Sequence, residues 1–228
     1  MNRATRINVT VLGVIFGISG INHGFFEMLQ GNAPTGGLFI SAIGDAQKMW
    51  PHGNELAFTL LPNFLISGIA AMLIGLAIIL WTCGYVHKKN GPIILLLLFI
   101  LLLLAGGGVA QVLFFPWIYL VARQINKFPA FWEKVFHGKT ALPGKLWPWS
   151  LAISATLLVL VLVIGVTGFV PGVNDPEAVF KVMLGCLAAE VIFLPLTFLS
   201  GFAHDIASKP RQLADNASHQ AVTESIHL

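Results

Sequence analysis

The sequence predicts an all-α integral membrane helical bundle with about five transmembrane helices and one or two interfacial amphipathic helices. Hydrophobic residues make up 56% of the 228 residues and charged residues only 10%, whereas a soluble domain carries about 25% charged residues. The mean hydropathy is +0.81. Short loops separate the apolar runs, which favours a single bundle over residues 1–207 in a prokaryotic cell membrane. The 13 basic residues form no stripe with interleaved aromatic residues, so no nucleic-acid partner is expected.

The first span is predicted at residues 9–29 and contains glycines three or four residues apart: Gly13, Gly17, Gly20 and Gly24. At about 100° per residue these glycines share one narrow helix face. Because small residues let helix backbones approach closely in lipid, this glycine face predicts a contact with another helix, a second copy of the chain or a protein partner. The first long loop follows, and the apolar spacing of residues 38–43 predicts a short interfacial helix there.

The second span is predicted at residues 56–81, with Asn63 inside it. The central uncharged run, residues 92–122, exceeds the length of helix that crosses a hydrocarbon core of roughly 30 Å. Its third span is therefore predicted at residues 92–115, before an aromatic belt. Aromatic residues at helical spacing in residues 128–136, opposite charged ones, predict a second interfacial helix.

The fourth and fifth spans are predicted at residues 149–169 and 178–202, and the polar residues 208–228 are expected to form a disordered tail. The basic residues then give conflicting topologies, because Lys and Arg favour the cytoplasmic side. If the central run crosses once, the basic residues of the two halves lie on opposite sides. An N-out, C-in protein of five spans is one solution. The other is a central run that turns back at Gly106–Gly108 as two arms of about 14 residues, each about 21 Å long.

The candidate site is a set of polar residues predicted inside the apolar spans. An ionisable group within a span costs at least ~2.5–3.5 kcal/mol on insertion scales unless it has a partner. His23 and Glu27 lie four residues apart on one helix, which makes them neighbours. The predicted polar site comprises His23, Glu27, Asn63, Gln111 and Glu190. No cofactor is firmly implied, although His23, Glu27, His52 and Glu55 are ligand types that would suit zinc or iron.

Part of the chain resembles a known family. The first-span pattern LGVIFGISGINHGFFEM is similar to the opening helix of DoxX-like small membrane proteins. The segments HGNELAFTLLPNFLISG and GGGVAQVLFFPWI are similar to uncharacterised prokaryotic multi-pass proteins. The DoxX resemblance implies quinone-linked chemistry, and it covers about a tenth of the chain. The DoxX pattern has four helices, whereas this sequence predicts five.

Three functions are compatible with these features. The first is a non-catalytic membrane protein, either a small transporter-like protein or an assembly component of a membrane complex, with the polar residues lining its interior. The second is a membrane-embedded metal- or quinone-linked oxidoreductase that uses His23 and its neighbours. The third is a structural subunit that binds its partner through the glycine face. The sequence contains no nucleotide-binding loop, serine nucleophile elbow or HExxH motif, which favours the non-catalytic reading.

Overall fold

The structure is a computed structural model that describes residues 1–127, 130–136 and 139–226, with only the backbone described beyond Ser208. It is 69% helix and 7% strand, which confirms the mostly helical prediction. The helices are α1 (Arg3–Leu29), α2 (Phe64–Gly84), α3 (Gly91–Leu104), α4 (Phe115–Ala122), α5 (Ala130–Phe136), α6 (Ala141–Thr167) and α7 (Pro176–Ile226), with a short 3-10 helix at Val109–Leu113. The strands are β1 (Phe39–Ser41), β2 (Leu56–Thr59) and β3 (Ala105–Gly108).

Among the described residues, four helices are long and apolar enough to cross a membrane: α1, α2, α6 and the part of α7 up to Ser208. The predicted helices at residues 9–29, 149–169 and 178–202 are therefore present, each with a longer helical range. Helix α5 lies where the second interfacial helix was predicted, although residues 128–129 and 137–138 are outside the described residues. The side chains beyond Ser208 are also outside them. The backbone of residues 208–226 belongs to α7, whereas the sequence predicted a disordered tail over residues 208–228.

The prediction of one continuous helix at residues 92–115 is wrong. Helix α3 has 14 residues and ends at Leu104, after which the three glycines form strand β3. Gly106 has a φ of +104°, a conformation that a helix cannot contain and that glycine adopts readily. Strand β3 then pairs with β2, which satisfies the backbone groups that the broken helix leaves free.

The central run folds back on itself, as the alternative topology predicted. The stacked rings of Phe99 in α3 and Phe115 in α4 have centroids 4.3 Å apart. After α4, Asn126 Nδ2 donates a 2.6 Å hydrogen bond to the carbonyl of His87, which lies in the loop before α3. The two ends of the run therefore meet at one end of the bundle. Helix α3 spans only about 21 Å, which is shorter than a typical hydrocarbon core.

The interfacial helix predicted within the first loop is also wrong. Residues 39–41 form β1, which pairs antiparallel with β2 in the register Phe39 with Phe58 and Ser41 with Leu56. Ile40 and Ala57 point to the buried side of this sheet. The alternation of buried and exposed residues follows the period of a strand. Strand β2 occupies the predicted start of the second span, so α2 begins only at Phe64.

The glycine face of α1 is covered from within the chain. A Cβ atom at Gly24 would collide with the carbonyl of Gly68 in α2, and one at Gly17 would lie 2.8 Å from the carbonyl of Gly75. At Gly20 the neighbour is Leu102 of α3. The predicted close helix contact is thus the contact of α1 with α2 and α3. An oligomer or protein partner stays a prediction with no surface assigned to it.

Most basic residues lie at one end of the bundle, here called the basic end. The Asp205 carboxylate in α7 accepts hydrogen bonds from the backbone N–H groups of Ala4 and Thr5 at 2.8 and 2.9 Å. Asn2 N donates to the carbonyl of Ile125 at 2.7 Å, which brings the end of α4 to the same place. The opposite end contains the three strands and is called the sheet end. Nine of the 13 basic residues belong to segments at the basic end: Arg3, Arg6, Lys88, Lys89, Arg123, Lys127, Lys134, Lys139 and Lys145.

Candidate functional site

The site lies beneath strand β3, towards the sheet end of α1. His23 and Glu27 are one helical turn apart, which is a rise of about 6 Å. Gly106 and Gly108 are two residues apart on a strand, which is nearly the same distance. A Cβ atom at Gly108 would lie 2.6 Å from His23 Cε1, and one at Gly106 would collide with the Glu27 carboxyl group. Each ionisable side chain therefore packs against the backbone of one glycine.

Glu55 completes a cluster with His23 and Glu27. It directly precedes β2, so the pairing of β2 with β1 and β3 fixes its position. Its Oε2 atom is in direct ion-pair contact with Nε2 of His23. The His23 side chain is only 2% exposed, whereas that of Glu55 is 34% exposed. The pair therefore connects the accessible surface of the sheet end to the interior.

The electrostatic environment of Glu55 favours its ionised form. Burial acts to raise the pKa of its carboxyl group, because a charged group loses hydration. The charge of His23 and the hydrogen bond to His23 act in the opposite direction. Together they outweigh burial and hold the Glu55 pKa below its ordinary value of 4.5. The pair is therefore a carboxylate with an imidazolium partner whenever His23 is protonated.

Glu27 is completely buried. Within the described chain, neither of its carboxyl oxygens has a hydrogen-bond partner. The Ser67 hydroxyl lies close to it, but its hydrogen bonds are to Thr59 Oγ1 at 2.9 Å and to the carbonyl of Ala105 at 3.0 Å. A buried carboxylate without partners is strongly unfavourable. This side chain therefore requires a proton or another positive charge.

A cavity of about 410 Å³ opens beside His23, between α1, the 3-10 helix, α6 and α7. Gln111 lies in its wall and donates a 2.9 Å hydrogen bond to Ser19 Oγ. Gln111 Oε1 and His23 Nδ1 are buried and have no partner among the described residues. Glu55 also lines the cavity, beside His23. The other side chains of the wall are mostly apolar: Ile15, Phe16, Leu56, Phe114, Leu158, Val161, Leu162, Met183 and Leu187. The cavity, called the His23 cavity, can therefore hold a molecule that is apolar over most of its surface and forms hydrogen bonds at one end.

The structure separates two predicted residues from this site. Asn63 caps α2, because its Oδ1 accepts a 3.2 Å hydrogen bond from Ile66 N. Glu190 lies in α7 and accepts a 2.5 Å hydrogen bond from Ser154 Oγ of α6. Asn63 therefore stabilises a helix start, and Glu190 belongs to a different cavity, described below. His23, Glu27 and Gln111 are the three members of the predicted site that the fold brings together.

The four residues considered as metal ligands are divided between two places. His52 Nε2 contacts Glu177 Oε1 at 2.7 Å on the surface of the sheet end. His23, Glu27 and Glu55 lie in the buried cluster instead. In the part of the chain that the structure describes, no group of three or more His, Cys, Asp or Glu residues is placed to hold a metal ion.

Sequence reasoning gave Glu55 only as a metal ligand and missed the packing of the glycines over the site. Glu55 pairs with His23 because a sheet brings the two segments together, and three strands this short give little signal in sequence. One signal was available in the three consecutive glycines, since such a run favours non-helical backbone. Comparisons with protein-family models, curated proteins and solved structures found no match. The DoxX resemblance therefore stays a prediction.

Proposed function

We propose that this chain is a transporter-like multi-pass protein of the prokaryotic cell membrane that moves protons through the His23–Glu55 pair. The observation that carries this proposal is the contact of a buried histidine with a partly exposed carboxylate beside an unpartnered buried acid. Intramembrane ionisable groups are costly and typically mark ion or proton pathways. A broken helix whose unwound backbone is covered by protein is also typical of transporter sites.

The charges of the cluster explain why a proton fits this site. With His23 protonated and both glutamates ionised, the cluster has one negative charge in excess. One additional proton makes it neutral. Imidazole can accept and release protons near neutral pH. The relay starts from neutral His23 with its proton on Nδ1. A proton taken up by Glu55 from water passes to Nε2, and the imidazolium formed then releases its Nδ1 proton towards Glu27.

The position of the basic residues supports an orientation. Because cytoplasmic loops are rich in Lys and Arg, the basic end is the cytoplasmic end. The start of α1 and the end of the apolar part of α7 both lie there. In this arrangement four helices cross the membrane, and α3 and α4 enter and return. All nine basic residues named above would then lie on the expected side, which supports this orientation over a single crossing of the central run.

Proton flux into vesicles tests the function. Purified protein is reconstituted into vesicles that contain a pH-sensitive dye, and a potassium diffusion potential with valinomycin drives proton entry. We expect faster acidification than in protein-free vesicles, and His23→Gln should reduce the rate to the protein-free level. The matched control is His52→Gln, because His52 forms a similar pair with Glu177 at the surface. Equal rates for the wild type and for protein-free vesicles would reject the proposal.

The His23 cavity favours a second candidate function, quinone-linked oxidoreduction. A quinone ring offers oxygens to hydrogen-bonding groups and an otherwise apolar surface, which matches the cavity with Gln111 at its polar end. Calorimetric titration with decylubiquinone in detergent tests this candidate. We expect saturable binding that Gln111→Ala weakens, whereas heat of dilution alone would count against it.

A further inference from the structure

A second cavity, of about 680 Å³, lies between α4, α5 and α7. Its wall includes Trp117, Trp132, Leu194 and Phe198. Among the described residues, Phe114 is the one that lines both this cavity and the His23 cavity. The volume is within the range of sites that hold drug-sized ligands, about 300–1,000 Å³. This space is called the Glu190 cavity. Its size and its apolar wall alone would suit many hydrophobic molecules.

An ionisable group in the wall of this cavity, Glu190, restricts which hydrophobic molecules would bind there. Glu190 lies in α7 and is fully buried. It is the single ionisable residue among the described lining residues. Ser154 Oγ donates to its Oε1 atom, but Oε2 is buried and has no partner in the described chain. No Lys or Arg belongs to the described wall. An ionised Glu190 therefore places in the cavity a negative charge that no described residue of its wall neutralises, and like Glu27 this side chain requires a proton or another positive charge.

The aromatic side chains of the wall would add to the attraction for a positive charge. Trp is the aromatic residue with the strongest cation–π interaction. Trp117 is 59% exposed, so its ring is available to a ligand. Trp132 packs against Phe202 with ring centroids 4.9 Å apart, which fixes its position. A cation that enters must nevertheless match the apolar surface elsewhere in the wall, so its charge has to be carried by a mainly hydrophobic molecule.

We propose that the Glu190 cavity binds lipophilic monovalent cations and that Glu190 supplies the counter-charge. This site is separate from the His23–Glu55 pair and does not depend on proton movement there. A lipid acyl chain would fill the apolar part of the cavity equally well, but it would leave Oε2 of Glu190 without a partner. Charge complementarity therefore distinguishes the two occupants.

The test compares two probes of the same shape and opposite charge, tetraphenylphosphonium and tetraphenylborate. Binding to the purified protein in detergent is measured by equilibrium dialysis and by quenching of tryptophan fluorescence, to which Trp117 and Trp132 contribute. We expect the wild type to bind the cation in preference to the anion. Glu190→Gln removes the charge at nearly constant shape and should weaken cation binding by about tenfold or more, because a desolvated charge pair contributes strongly to affinity. It should not weaken anion binding.

Two further variants keep the test decisive. Glu177→Gln removes a surface carboxylate from the same helix and should leave cation affinity unchanged. Leu194→Trp fills the cavity and should abolish cation binding, which also tests the site if Glu190→Gln does not fold. Equal binding of both probes to the wild type, or cation binding that survives Leu194→Trp, would overturn the proposal. Because dialysis needs no proton flux, failure here is distinguishable from failure of the proposed function.

Discussion

Gly24→Ala tests the close approach of α1 and α2, which positions His23 and Glu27. The new Cβ atom would lie 2.8 Å from Met72 N and closer still to the carbonyl of Gly68, whereas ordinary contacts of a Cβ atom are 3.4–4 Å. Both neighbours are backbone atoms that cannot rotate away. The two helices would therefore have to separate by at least about half an ångström, which forfeits roughly a quarter or more of each contact's attraction.

We expect this separation to cost about 1–3 kcal/mol, as for other overpacked sites. Replacing glycine by alanine also stabilises a helix by up to about 1 kcal/mol through its higher helix propensity. The control variant must therefore also replace a helical glycine by alanine. Gly185→Ala in α7 is that control, because a Cβ atom there meets none of the described atoms within 4 Å. The propensity gain cancels in the comparison, and the difference between the two variants isolates the packing cost.

Equilibrium unfolding in mixed micelles of dodecyl maltoside and sodium dodecyl sulfate, followed by far-ultraviolet circular dichroism, gives the free energy of unfolding of each variant. Gly24→Ala should be about 1–3 kcal/mol less stable than Gly185→Ala. Equal free energies of unfolding for the two variants would refute the reasoning, because they would show that the helices are not in close contact at this glycine.

Three further predictions concern the site and the topology. Gly106→Ala should destabilise the fold by about 1–3 kcal/mol because of its backbone conformation. The loss should exceed that of the control Gly36→Ala, because Gly36 also has a positive φ, +73°, but has open space around it. Equal losses of stability in thermal unfolding would contradict the contact of Gly106 with the Glu27 carboxyl group. Since the folded-state pKa of Glu55 lies below 4.5, its charge stabilises the fold above that pH, and this contribution is lost as the pH falls through the folded-state pKa. The difference in unfolding free energy between the wild type and Glu55→Gln should therefore shrink below pH 4.5, and a constant difference would count against the pair. In a chain without the native cysteines, Lys89→Cys and Lys127→Cys should react with an impermeant thiol reagent from the same side of sealed vesicles, and reaction from opposite sides would restore a single crossing of the central run.

The sequence contained most of the information about which segments are helical. The apolar runs locate α1, α2, α6 and α7 because a helix satisfies its own backbone groups, so a long apolar segment needs no partner to become helical. The same locality explains why His23 and Glu27 could be recognised as neighbours: their distance is set by one helical turn. The close packing of the glycine face could also be predicted from the sequence, since it needs only small residues at helical spacing.

The tertiary structure alone decided how the central run folds and which residues meet. Strand β3 is specified by its pairing with β2, which lies more than 40 residues earlier in the chain, and such non-local pairing leaves little trace in local sequence. That pairing returns the chain to the basic end and sets β3 over His23 and Glu27. It also carries Glu55 to His23 and leaves Glu190 in a separate cavity. Local composition determined the helices, whereas long-range backbone pairing determined the site.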